Sequence, residues 1–303
     1  MRLFAALILA VTAIAAPNGA SADDSSTNDR WQASVSAFLS LSGHNARSSV
    51  ASNLRPPPPP PPPPAPGGGA TLPTLGEEIH RTQTILLPAL AGSLEILTPA
   101  LFDAFGAPRV FAHGDVLPIF SPELKLAGEA SPGPFRIPQN PAAPEESIGG
   151  QGSQTSWDPA TLAFGAGLGV AFHFEYLDIE FALKPSAEWY SYNGTFRTFV
   201  SRALKVQGEL TIDRLVQVRL TERRTFHAVG GGLELEAKVD ETESFSTHMF
   251  VLARGYSVLG NRSIESSFFQ AATPNPDQVL GRYKTSSFLY NFGIGFRLRW
   301  RGL

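Results

Sequence analysis

From Phe288 to Trp300 every second residue is large and apolar: Phe288, Tyr290, Phe292, Ile294, Phe296, Leu298 and Trp300 alternate with Ser287, Leu289, Asn291, Gly293, Gly295, Arg297 and Arg299. A strand sends the two sets to opposite faces. The same pattern places Leu162, Phe164, Ala166, Leu168, Val170, Phe172, Phe174 and Tyr176 against Thr161, Ala163, Gly165, Gly167, Gly169, Ala171, His173 and Glu175. It then continues with Leu177, Ile179, Phe181 and Leu183 against Asp178, Glu180 and Lys184. Soluble strands average about 5–6 residues. Runs this long suit strands tilted near 45° across a bilayer, which need about 9–11 residues plus whatever projects beyond it. A long-stranded soluble sandwich or ligand-binding barrel gives the same alternation. The aromatic residues Tyr176, Trp189, Tyr190, Tyr290 and Trp300 near run ends favour a wall with interfacial girdles. The expected fold is all-β, a transmembrane antiparallel up-and-down β-barrel.

The rest of the composition narrows the alternatives. With 43% hydrophobic and 17% charged residues, wholesale disorder is excluded. A net charge of −3 gives no basic footprint, so no nucleic-acid partner is expected. The absence of cysteine excludes disulfides, thiolate zinc sites, Fe–S clusters and an acylated lipoprotein Cys. No apolar run is long enough for a membrane helix. Residues 1–22 are expected to be a signal peptide: Arg2, an apolar run over 3–16, and the small residues Ala20-Ser21-Ala22 before Asp23. Residues 23–70, rich in Ser and Pro, are expected to be a disordered periplasmic linker preceding the barrel of residues 71–303, whose strands lie mainly within 109–300. Pro56 to Pro64, then Ala65 and Pro66, predict a polyproline II rod, which at ~3.1 Å per residue spans roughly 34 Å. It is either a spacer or a docking peptide for a periplasmic partner. On this reading residues 25–66 are dispensable for barrel folding.

The segment Asn291-Phe292-Gly293-Ile294-Gly295-Phe296-Arg297-Leu298 resembles the C-terminal targeting signal of bacterial outer-membrane β-barrel proteins. That pattern is a polar residue, any residue, Gly, two of any kind, an aromatic, one of any kind and a hydrophobic. Asn291, Gly293, Phe296 and Leu298 fill its positions, and Trp300 follows. Such proteins usually end on the aromatic, whereas this chain continues through Arg301-Gly302-Leu303. The resemblance, to small barrels of the OmpA/OmpX-like class, implies a Gram-negative origin and the cell outer membrane. It also implies insertion by the barrel assembly machinery and contact with outer-membrane lipid and lipopolysaccharide.

Bacterial single-chain barrels have even strand numbers, short periplasmic turns and longer external loops. Eight strands are predicted, at 109–120, 161–174, 178–192, 195–206, 210–223, 225–239, 245–259 and 286–300, with ten as the alternative if 85–97 contributes. Asn193-Gly194 reads as a hairpin turn. Connections near 175–177, near Gly208 and at 240–244 are assigned to the periplasm, and those at 121–160 and 260–285 to the outside.

The inward face is expected to carry a network of paired charges. Its members are Arg109, Asp115, Glu180, Lys184, Glu188, Arg219, Glu234, Glu236, Arg254, Arg297 and Arg299, with His113, Glu175, Asp178 and Lys238 nearby. An eight-stranded barrel is only wide enough for its own side chains, so an open pore is not expected. No nucleotide, metal or hydrolase motif is present, and no cofactor, metal or catalytic residue is assigned. His113 and Asp115 share a face, where a serine across the barrel would complete a nucleophile–base pair. The expected role is structural or surface-interacting, not enzymatic, exercised through the loops at 121–160 and 260–285. A lipid-modifying outer-membrane enzyme and a small gated channel are the alternatives.

Overall fold

The structure is a computed structural model that describes residues 30–53, 78–102, 106–128, 135–136, 148–204, 214–270 and 277–300. Twelve strands and no helix occur among the described residues. Eight strands form a ring: β1 (Gln32–Asn53), β2 (Ile79–Leu97), β3 (Arg109–Pro118), β7 (Leu162–Tyr176), β8 (Ile179–Leu204), β9 (Arg214–Glu241), β10 (Phe245–Val258) and β12 (Asp277–Trp300). Each pairs antiparallel with the next, and β12 returns to β1 over a register running from Ala33↔Trp300 to Asn53↔Gln278. No ring strand is left as an edge, which satisfies the backbone in any apolar surroundings.

Four shorter strands, β4 (Leu124–Gly128), β5 (Phe135–Arg136), β6 (Ile148–Pro159) and β11 (Ser263–Gln270), lengthen the wall at one end. The strand β8 pairs with β7 as far as Ser191 and then takes β6 as partner from Gly194 to Ala203. Likewise β12 pairs with β10 from Trp300 to Phe288 and with β11 from Lys284 to Asp277. At the other end, β7 and β8 join through Leu177 and Asp178, both at positive φ (52° and 59°), the backbone of a two-residue hairpin. Here too β9 and β10 are joined across 242–244, and β1 meets β12 beside Trp300.

The outer face explains the alternation. Phe288, Phe292, Ile294, Phe296 and Leu298 are all exposed, as are Leu39 and Leu41 on β1, Leu86 to Ile96 on β2, Phe164 to Phe174 on β7 and Val229 to Val239 on β9 at alternate positions. At about 3.4 Å per residue and a tilt near 45°, Phe288 to Leu298 rises roughly 24 Å, the height of a bilayer-spanning apolar band. Towards the long end the same face turns polar on β1 (Asn45, Arg47), β2 (Thr82, Thr84) and β12 (Arg282, Lys284).

Several expectations change. The segment 23–70 is not a linker preceding the barrel, because it contains β1. That strand's lumen face is Ser34, Ser36, Phe38, Ser40, Ser42, His44 and Ser48, so the serine content that reads as disorder is the small-residue lining of a filled interior. The proline run lies outside the described residues. The strands flanking it end at Asn53 and begin at Ile79, both at the long end, so it belongs to the β1–β2 connection there. The Asn193-Gly194 pair makes no turn: β8 runs straight through it, and Gly194 is small because the Trp157 ring lies where a Cβ would stand. The expected strands 210–223 and 225–239 are likewise not separate: from Arg214, where the described residues resume, one strand, β9, runs unbroken through 224, and the connection at Gly208, outside the described residues, joins strand ends at the long end. Eight remains the count because two false breaks offset the two strands left out, β1 and β2.

Deleting residues 32–53 is therefore expected to abolish refolding into a compact, heat-modifiable species. Replacing residues 56–66 with an equally long glycine-serine tract is expected to leave refolding unchanged. Electrophoresis of unboiled and boiled samples reads both.

Candidate functional site

The lumen is built from inward positions of all eight ring strands. Near the short-turn end, Lys184 of β8 is 1% exposed and lies among three carboxylates. Its Nζ contacts Glu95 and is 3.0 Å from Glu234 and 3.4 Å from Glu236. Arg297 bonds both Glu234 oxygens at 2.5 and 3.1 Å and also contacts Glu236, while Arg299 donates to Glu236 Oε1 at 2.6 Å. Three carboxylates thus meet three cations. Rings close the cationic faces: Phe111 is 4.6 Å from Lys184 Nζ and Phe250 is 4.6 Å from the Arg297 guanidinium. A second cluster pairs Arg254 with Asp115. There Arg254 Nε is 3.5 Å from Glu188, His113 Nε2 is 3.2 Å from Glu188, and Ser186 donates to Glu188 at 2.5 Å. Gly167 and Gly232 face these groups, and a Cβ on either would overlap the Glu188 carboxylate. No serine hydroxyl bonds His113 among the described residues, so the expected nucleophile–base pair does not form there.

Beyond these charges the lumen is packed with rings. Trp157 stacks on Tyr283 at 4.5 Å, Tyr190 lies 5.2 Å from Tyr256, and Tyr192 stacks on Phe226 at 5.3 Å. His44 Nε2 is 3.1 Å from the Tyr283 hydroxyl. Val50, Val200, Val218 and Val279 close the interior of the long end.

Nine of the eleven predicted network residues are buried inside: Arg109, Asp115, Lys184, Glu188, Glu234, Glu236, Arg254, Arg297 and Arg299. Two differ. Glu180 stands at the rim, 2.6 Å from Lys238. Arg219 points outward, because the inward positions of β9 are even-numbered (Val218, Phe226, Ala228, Glu234, Glu236). A false strand break at 224 hides this parity. Arg219 lies 5.9 Å from the Phe199 ring and lines an outer cavity of about 570 Å³ at the long end, with Glu123, Ser156 and Arg197. There the Ser156 hydroxyl, together with Arg197, holds the Glu123 carboxyl below its usual range. Glu95 and His248 are members the sequence reading missed. Glu95 was legible from the alternation on β2, where Leu90, Leu94 and Ile96 face out.

In the assembly-signal segment, Asn291 faces inward and donates to Ser40 and Ser42 at 2.7 Å each. Phe296 and Leu298 face outward, Gly293 lies against Phe38 and Leu252, and Trp300 is half-buried.

At the short-turn end the lumen opens into a mouth of about 580 Å³. Arg109, His173, Lys238, His248 and Arg299 line it opposite Glu175, Asp178, Glu180 and Glu241. The β2–β3 connection reaches this cavity through Gly106, whose carbonyl accepts the His173 N–H at 2.9 Å. On its wall the Ser246 hydroxyl is 2.8 Å from His248 Nε2, and His248 Nδ1 is 2.9 Å from Glu236.

No known protein family matches the chain. No curated protein matches it either. Among solved structures, the outer membrane protease OmpT from Escherichia coli aligns over 91% of this chain and 98% of its own, at 10% identity and a TM-score of 0.21. A Pseudomonas aeruginosa FadL homologue aligns over 88% and 90%, at 8% identity and a TM-score of 0.15. At those scores neither likeness carries an argument, and the reading below rests on the chain's own geometry.

The charge balance gives a direct test. Lys184→Met leaves one surplus carboxylate in a sealed interior, and breaking a buried pair costs about 3–5 kcal/mol. The expected outcome is a lower urea midpoint for micelle-refolded protein. Adding Glu95→Leu restores the balance and is expected to recover more than half of the loss.

Proposed function

We propose that this chain is an outer-membrane β-barrel, closed to free diffusion, with a structural or surface-interacting role. One observation carries the reading: an apolar belt of membrane height surrounds a lumen filled by paired charges and stacked rings. Such a wall has no reason to be apolar in water, and such a lumen leaves no aqueous path. Outer-membrane barrels keep short turns on the periplasmic side. By that rule the end bearing Leu177-Asp178 is periplasmic and the long end is external.

The surface role then belongs to the external end. The wall there extends past the belt on β6, β8, β9, β11 and β12, and the β1–β2 connection contains the proline run. A polyproline surface offers aromatic-lined grooves a preformed ligand, so its partner is sought outside the cell instead of in the periplasm. The cations Arg47, Arg282 and Lys284 above the belt suit the phosphates of outer-membrane lipid and lipopolysaccharide. Residues 291–300 serve as the signal to the barrel assembly machinery, and residues 1–22 as the export signal.

Fractionation tests this reading. The protein is expected in outer membranes, with heat-modifiable migration and no unitary conductance steps in planar bilayers. Phe296→Asp, which puts a carboxylate on the lipid face, is expected to lose insertion. Recovery of soluble monomer without detergent, or sustained ion-conducting steps, would contradict it.

A further inference from the structure

We infer that the mouth at the short-turn end is a serine esterase site, with Ser246 as nucleophile, His248 as general base and Glu236 as the residue that positions it. Ser246 and His248 stand two residues apart on β10, so both side chains face the lumen. The Ser246 hydroxyl is 2.8 Å from His248 Nε2, within the reach a nucleophile–base pair needs. The other ring nitrogen, Nδ1, is 2.9 Å from Glu236 Oε1. A carboxylate there holds the imidazole with its proton on Nδ1, leaving Nε2 free to accept from serine. Glu236 is itself fixed by Arg299 at 2.6 Å and by Arg297. The three residues therefore repeat the geometry by which such triads are recognised irrespective of fold or chain order.

Position separates this group from the other lumen polar clusters. The Asp115, Glu188 and Arg254 cluster is sealed, whereas Ser246 and His248 form part of the wall of the 580 Å³ cavity. Arg109 and Arg299 line the same cavity, and guanidinium groups there supply the cationic surroundings that favour a carbonyl oxygen gaining charge.

The chemistry is hydrolysis in two steps. Ser246 Oγ attacks the ester carbonyl carbon as its proton passes to Nε2. The carbon–oxygen bond to the alcohol then breaks as that proton moves to the leaving oxygen, giving acyl-Ser246 and free alcohol. Water, deprotonated by His248, attacks the acyl carbon, releases the carboxylic acid and returns the proton to Ser246.

The lining selects the substrate. Apart from Phe174 and the small Gly106 and Ala107, it is charged or polar, and it offers no apolar channel for a long acyl chain. The substrate class is a short-chain acyl ester of a hydrophilic alcohol, entering from the aqueous compartment at this end.

Full-length protein refolded in detergent micelles is incubated with a fluorophosphonate probe, and the labelled peptide is mapped by mass spectrometry. Hydrolysis of p-nitrophenyl acetate and p-nitrophenyl palmitate is measured alongside. The expected result is labelling at Ser246, with acetate cleaved and palmitate at background. Ser246→Ala and His248→Gln should keep heat-modifiable migration, lose labelling and lower acetate cleavage about a hundredfold or more. Ser257→Ala, on the same strand away from the mouth, should label as wild type. A folded protein that is unlabelled, or labelled equally in Ser246→Ala, overturns the site. Preference for palmitate overturns the substrate class.

Discussion

Pairing of the first strand with the last governs this structure. Once β1 and β12 share twenty register positions, no ring strand has an open edge, and the outer face is free to be apolar over its full height. The same closure decides the interior. Polar and charged side chains excluded from the belt must point inward, where space is set by eight strands and water is scarce. Opposite charges then have to meet across the lumen. Glu95 from β2, Lys184 from β8, Glu234 and Glu236 from β9, and Arg297 and Arg299 from β12 do so within hydrogen-bonding distance. Buried pairs of this kind contribute little net stability compared with an apolar filling. Their use here is to specify register: a one-residue slip on any of these strands would turn its charge into the belt.

The sequence made the outer face legible and the connectivity much less so. The alternation on β7 and β12 identifies both faces, and nine of the eleven network residues lie inside as parity demands. What failed was punctuation. Asn193-Gly194 carries the chemistry of a turn, yet Gly194 answers a packing need set by Trp157 from a strand more than thirty residues away in sequence. Local turn propensity yields to that long-range contact. β1 was hidden for the opposite reason: Ser34, Ser36, Ser40, Ser42 and Ser48 look like linker composition until the partners that need small neighbours, Asn291 and Glu95 among them, are known. The Ser246, His248 and Glu236 group is a further example. Its members match no motif, and only the pairing of β9 with β10, shifted by a bulge at Thr247–His248, brings them together.

The layering of the lumen also divides the molecule functionally. The charge clusters and the ring stack separate a polar mouth at one end from an extended wall at the other. Chemistry proposed for the mouth and binding proposed for the long end are thus independent in space. What couples them is the barrel itself, since both depend on the same closed ring.

Because the chain lacks cysteine, closure can be read without background. Leu39 and Ile294 are register partners on β1 and β12, and both face outward in the belt. The Leu39→Cys/Ile294→Cys variant, expressed in membranes and treated with a mild oxidant, should form an intramolecular disulfide that alters migration only without reductant. Pairing Leu39→Cys with a cysteine at Leu168 on β7 should give none. Failure of the first pair to cross-link in folded protein, or equal cross-linking of the second, would contradict a barrel closed by β1 and β12.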